Sequence, residues 1–120
     1  MDYTSFQNWL DEILKGGLPE NATALNFNLY EEEDENWSVQ LIAADEFDPE
    51  DEDWACSEVF SSGEDLYRWQ ESADWEEILA DVCQIVKQYL VQGQYADVLK
   101  SYKAVGVGFV DGDIELVYQK

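Results

Sequence analysis

Carboxylates are the side chains with which this 120-residue chain could do chemistry: 28 Asp and Glu stand against six Lys and Arg, with two Cys and no His. Twelve of the acids crowd into two runs. The first is Glu31-Glu32-Glu33-Asp34-Glu35; the second holds Asp45, Glu46, Asp48, Glu50, Asp51, Glu52 and Asp53. Asp111-Gly112-Asp113 forms a smaller cluster. Paired carboxylates hydrolyse glycosides when burial lifts the pKa of one of them, yet these acids stand beside other acids with no apolar pocket implied. Calcium needs six to eight oxygens at set positions, and the EF-hand spacing with its Gly and final Glu is missing. Asp111-Gly112-Asp113 reads better as a turn. A small carboxylate enzyme or a divalent-cation protein therefore ranks third among the functions, and no catalytic residue, metal ligand or cofactor is assigned.

Other chemistries fail sooner. Without His there is no Ser-His or Cys-His catalysis, no imidazole ligand and no histidine switch near neutrality. Cys56 has Asp53 and Glu58 close by, poor surroundings for a nucleophilic thiolate. Neither cysteine belongs to a CxxC pair, and both read as reduced, buried small hydrophobes. Gly106-Val107-Gly108 lacks the rest of a dinucleotide fingerprint and is followed by Asp111 where a helix should begin.

The elements that must carry these residues follow from periodicity. Phe6, Trp9, Leu10, Ile13 and Leu14 give the helical stripe of an element over residues 4–15, capped by Thr4 or Ser5 and stopped by Gly16-Gly17. Leu25, Phe27 and Leu29 alternate with Asn26, Asn28 and Tyr30, which predicts a strand over 24–30. The first acidic run is then a hairpin loop leading to a strand from Trp37 to Ala44. The second run is another loop, and a less regular third strand follows from Trp54 to Ser61. Residues 62–72 read as a connection, although Leu66, Tyr67 and Trp69 are apolar for a loop. Trp75, Ile78, Leu79, Val82, Val86, Tyr89 and Leu90 mark the strongest helix, from Ala73 to about Val91. A short helix to about Lys103 precedes the strands 104–110 and 114–118, with Asp111-Gly112 as a two-residue hairpin turn. The order α-β-β-β-α-α-β-β predicts one α+β domain over residues 1–120. It has an antiparallel sheet of about five strands and helices packed on one face. Gly106 and Gly108 share one face of their strand, which predicts a close approach there or a bulge.

Apolar residues make up 46% of the chain and aromatics 14%, enough to bury a core and to exclude a disordered acidic tail. The N-terminal residues show no basic targeting region, and no apolar run reaches membrane-spanning length; the expected location is the cytoplasm. The formal net charge is −22. A field of that sign opposes direct binding to DNA, RNA or an anionic membrane. It far exceeds the magnitude of about 2–8 that solubility requires of a small domain. A basic protein partner accounts for the excess, because complementary fields speed encounter and reject wrong partners. A generally acidic, salt-adapted protein is the competing account.

The segments Asp53-Trp54-Ala55-Cys56-Ser57-Glu58-Val59-Phe60 and Gly108-Phe109-Val110-Asp111-Gly112-Asp113, with the chain's size and acidity, resemble small acidic immunity-type proteins of bacterial polymorphic toxin loci. That resemblance implies a protein that covers the cationic active site of a nuclease toxin or an adjacent exosite. The class spans unrelated folds, so it implies no particular binding residues. The leading expectation is thus a non-enzymatic binding protein that neutralises a basic protein, such as a nuclease toxin. The alternative is a nucleic-acid mimic or a structural protein-interaction module without a toxin. The expected contact residues are Glu31, Glu32, Glu33, Asp34, Glu35, Asp45, Asp48, Glu50, Asp51, Glu52 and Asp53, with Trp54, Tyr67 and Trp69 as aromatic anchors.

Overall fold

The computed structural model describes all residues from 1 to 120. Helix α1 (Tyr3–Lys15) begins one residue earlier than its stripe predicts, because the Asp2 carboxylate caps it by accepting from the Ser5 N–H at 3.0 Å. It buries Phe6, Leu10 and Leu14. Strands β1 (Ala24–Glu31) and β2 (Asn36–Ala44) pair antiparallel in register from Ala24 opposite Ala44 to Glu31 opposite Trp37. Their alternation sends Leu25, Phe27, Leu29, Trp37, Val39 and Leu41 to the helical side of the sheet. Helix α2 (Trp75–Gln92), capped by Asp74, lays Ile78, Val82, Val86 and Tyr89 on the same core. A short α3 (Ala96–Lys100) leads into β5 (Ala104–Phe109) and β6 (Glu115–Gln119). The class is α+β, with an open and mostly antiparallel sheet.

Three features depart from expectation. The third strand divides into a 3-10 turn, Glu52–Cys56, and a four-residue β3, Glu58–Ser61. The supposed connection 62–72 contains β4 (Tyr67–Gln70), so the sheet has six strands. Both short strands pair with β2, β3 along its C-terminal end and β4 along its N-terminal end, giving the order β3-β2-β1-β5-β6 with β4 beside β3. Tyr67 is apolar for a loop because it is core. Finally, β1 and β5 run parallel, Leu25 opposite Val105 and Leu29 opposite Phe109. The helices between β4 and β5 carry the chain across, as a parallel pair requires.

The closing hairpin is antiparallel, as Asp111-Gly112 suggests, but its turn is longer than two residues. Pairing ends at Val107 opposite Glu115, and the intervening loop folds back over the second face of the sheet. The two glycines make this possible. A Cβ on Gly108 would stand 2.5 Å from the Asp113 carbonyl oxygen, and one on Gly106 would meet Asn26 Oδ1 at 2.5 Å and Ile114 at 2.6 Å. The close approach predicted at these positions is the chain's own loop. On the same face Ala24, Ala44 and Ala104 leave a recess that Trp54 fills, backed by Phe47. No helix is long and apolar enough to cross a membrane.

Candidate interaction groove

Helix α2 starts over the end of β5, and its first two turns overhang the β5–β6 hairpin. The gap between them is a groove of about 1190 Å³, walled by Trp75, Leu79 and Cys83 from α2 and by Phe109, Val110, Leu116 and Val117 from the hairpin. Its apolar side is open to solvent. Trp75 is 53% exposed, Val110 56% and Leu116 37%. Trp75 stands edge-on to Phe109 (centroids 6.2 Å apart), and Phe109 stands edge-on to the buried Trp37 (6.0 Å). An aromatic ladder thus holds the exposed indole to the core, so it is presented on a rigid base.

Charge closes round these apolar groups. Glu31 at the end of β1, Glu76 on α2, Asp111 and Asp113 in the hairpin loop and Glu115 on β6 line the groove, against Lys87 as its one cation. Nothing neutralises the acids elsewhere either. The only ion pairs are the N-terminal ammonium with Glu71 at 3.4 Å and Lys100 with Asp97 at 3.9 Å, so 26 of the 28 carboxylates have no ionic partner. The thiol in the groove wall is a poor nucleophile: burial pushes the Cys83 pKa up, Glu115 pushes it further, and Lys87 opposes only weakly. No three Asp, Glu or Cys side chains converge where a metal ion could sit. The arrangement is suited to holding apolar and cationic groups together.

The expected contact residues fall into three groups. Glu31 belongs to the groove, and Glu32, Glu33, Asp34 and Glu35 project from the tight turn that continues β1. Asp45, Asp48, Glu50, Asp51, Glu52 and Asp53 are equally exposed, but they lie beyond the opposite end of β2. At ~3.4 Å per residue, the nine residues of β2 keep the two acidic runs about 27 Å apart. They are not one patch. The hairpin loop runs between them: Glu52 accepts from the Ile114 N–H at 2.6 Å, so the second run touches the loop whose Asp111 and Asp113 enter the groove. Asp48 and Asp51 are partly engaged in capping nearby N–H groups, those of Glu50 and Asp53.

The aromatic anchors need correcting. Trp54 is 3% exposed and fills the alanine recess, so it offers no contact surface. Tyr67 is buried against Phe6 and Trp9, its hydroxyl within 2.6 Å of Ser5 Oγ. Trp69 is half-buried, stacked near Tyr67, and donates to Glu71 at 3.1 Å. The exposed tryptophan is Trp75, which its periodicity assigns to the α2 core stripe. One signal in the sequence marks it out: it is the first helical residue after the Asp74 cap, where a stripe has run past the strands beneath it. Cys56, expected to be buried, is exposed.

Comparison with protein-family models, with curated proteins and with solved structures finds no match for this chain.

Proposed function

We propose that this protein is a cytoplasmic, non-enzymatic binding protein that neutralises a basic protein partner by seating an apolar surface, ringed by Lys and Arg, in the groove beneath α2. The observation that carries the reading is the meeting of exposed Trp75, Val110 and Leu116 with five carboxylates in one concavity. Exposed Trp on a rigid base is hot-spot chemistry. A surrounding ring of one charge steers a partner of the other sign and rejects like-charged ones. An immunity protein that covers the cationic active site of a nuclease toxin is the specific form we favour, because the uncompensated charge costs the fold stability and finds its use in such a complex. The test is calorimetric titration of basic proteins, toxin nucleases among them, into wild-type protein and the Trp75→Ala variant. A nuclease that is bound and inhibited by the wild type and loses most of its affinity for the variant supports the proposal. A basic partner bound equally by both removes the groove from it.

A further inference from the structure

The groove ends on an open sheet edge. β6 pairs with β5 alone and is the last strand on its side, and no backbone hydrogen bond outside that pairing involves Glu115 to Gln119. The opposite edge is broken into two four-residue strands, a common way of blunting an edge. β6 carries neither Pro nor Lys within its span; Glu115, opposite Val107, stands on the α2 side and Leu116, opposite Gly106, on the other, and both line the groove where it meets the edge. What guards this edge is charge. A second copy of the chain brings another −22 and is repelled, whereas a basic segment is drawn in.

Resting on the basic-partner reading, we propose that the partner contributes an extended, Lys- or Arg-rich segment that adds to β6 as a seventh strand. Side chains on its α2-facing side enter the groove, where cations meet Glu76 and Glu115 and their aliphatic stems pass Trp75, and the alternate apolar side chains lie along Leu116 on the other side. The geometry favours a strand over a helix. A helix laid in the groove strips water from the free N–H and C=O groups of β6 and gives nothing back, a cost for every group covered. An added strand bonds those groups and places alternate side chains in the groove, the usual logic of edge recognition.

The probe is a synthetic peptide alternating lysine and valine over about nine residues, titrated at low salt into the isotopically labelled full chain. Two further versions are N-methylated at every second residue, one in each frame, so that each loses the donors of one edge only. A fourth peptide carries the same charge on a helical pattern. Strand addition predicts slowed amide exchange in Glu115 to Gln119, and affinity lost by about tenfold or more in one methylated frame but kept in the other. Equal behaviour of the two frames, or protection that omits β6, overturns strand addition while leaving a basic partner in place. Failure of all four peptides to bind overturns the basic-partner reading itself.

Discussion

Trp54 and Trp75 occupy similar sequence surroundings and opposite structural ones. Each follows an acid directly, Asp53 or Asp74, and each belongs to the first turn of a helical segment. One is 3% exposed and the other 53%. The difference lies in what the sheet offers beneath. Ala24, Ala44 and Ala104 leave a recess the size of an indole, while under Trp75 the sheet ends at Phe109, which fills the space itself. A tryptophan beside acids is therefore neither core nor contact by nature. The neighbouring strands decide which.

The sharpest way to break this contrast is to truncate both residues. Trp54→Ala should destabilise the fold by about 3–5 kcal/mol, because the three alanines beneath it sit on a rigid sheet and cannot close the cavity. Urea denaturation measures it, and a loss below about 1 kcal/mol would mean the indole is not packed as described. Trp75→Ala should cost the fold less than about 1 kcal/mol, since half the side chain already faces water. It should instead cost about 2 kcal/mol or more of binding to a basic partner, mostly as faster dissociation. Reversal of the two phenotypes would invert the assignment of core and contact.

The two long helices and the two long strands were legible because local periodicity is enough to place them, although the caps fall at Asp2 and Asp74, not at Thr4 or Ser5 and not ahead of Ala73. Phe6 to Leu14 and Leu25 to Leu29 say which residues share a face. They do not say what lies opposite. β4 escaped because Tyr67–Gln70 is four residues long, alternates only twice and is stabilised by half of β2. The parallel pairing of β1 with β5 escaped because no residue encodes strand direction; the crossover through α2 and α3 sets it. Of the five groove acids only Glu31 stood among the expected contacts; Glu76, Asp111, Asp113 and Glu115 did not, because the groove that gathers them was not legible. It exists because an overhanging helix and a folded-back loop meet around Trp75, and that meeting is a tertiary event.

Titration separates the two sides of the sheet in a different way. On the helical side the Tyr89 hydroxyl donates to Asp11 at 2.6 Å and accepts from the Tyr95 N–H. Burial raises its pKa well above the ordinary value, and the Asp11 hydrogen bond raises it further. Tyr3 and Tyr102 are shifted the same way, chiefly by burial. A phenol whose pKa is higher folded than unfolded contributes stability in full below the unfolded value of about 10 and loses it as pH climbs through the folded one. The fold should therefore weaken steeply from about pH 10 upward. Tyr89→Phe should flatten part of that alkaline decline and cost about 1.5 kcal/mol at neutrality through the lost bond to a carboxylate. Thermal melts of both proteins from pH 8 to 11.5 decide it, and an unchanged alkaline slope in the variant would count against Tyr89.

The smallest effect tests whether the contact side carries charge at the expense of the fold. The β1–β2 turn is closed by the Asn36 N–H bonded to the Glu33 carbonyl, and its central residues Asp34 and Glu35 have φ of 58° and 60°. Two positive φ angles at the central positions of this turn are the type I′ pattern, whose second central position favours Gly. Glu35 accepts left-handed strain there of about 1–2 kcal/mol, and its carboxylate adds to an already crowded acidic run. Glu35→Gly removes both penalties and loses about 0.5–1 kcal/mol to extra freedom in the unfolded chain. The variant should be more stable than wild type by about 0.5–1 kcal/mol. Glu35→Gln keeps the strain and removes only the repulsion, so its smaller gain should vanish in high salt, whereas the Gly gain should persist. If the run steers a basic partner, both variants should associate more slowly at low salt and dissociate at the wild-type rate. A glycine variant less stable than wild type would show that Glu35 holds the turn together, and the run would then belong with Trp54 on the packing side of the comparison.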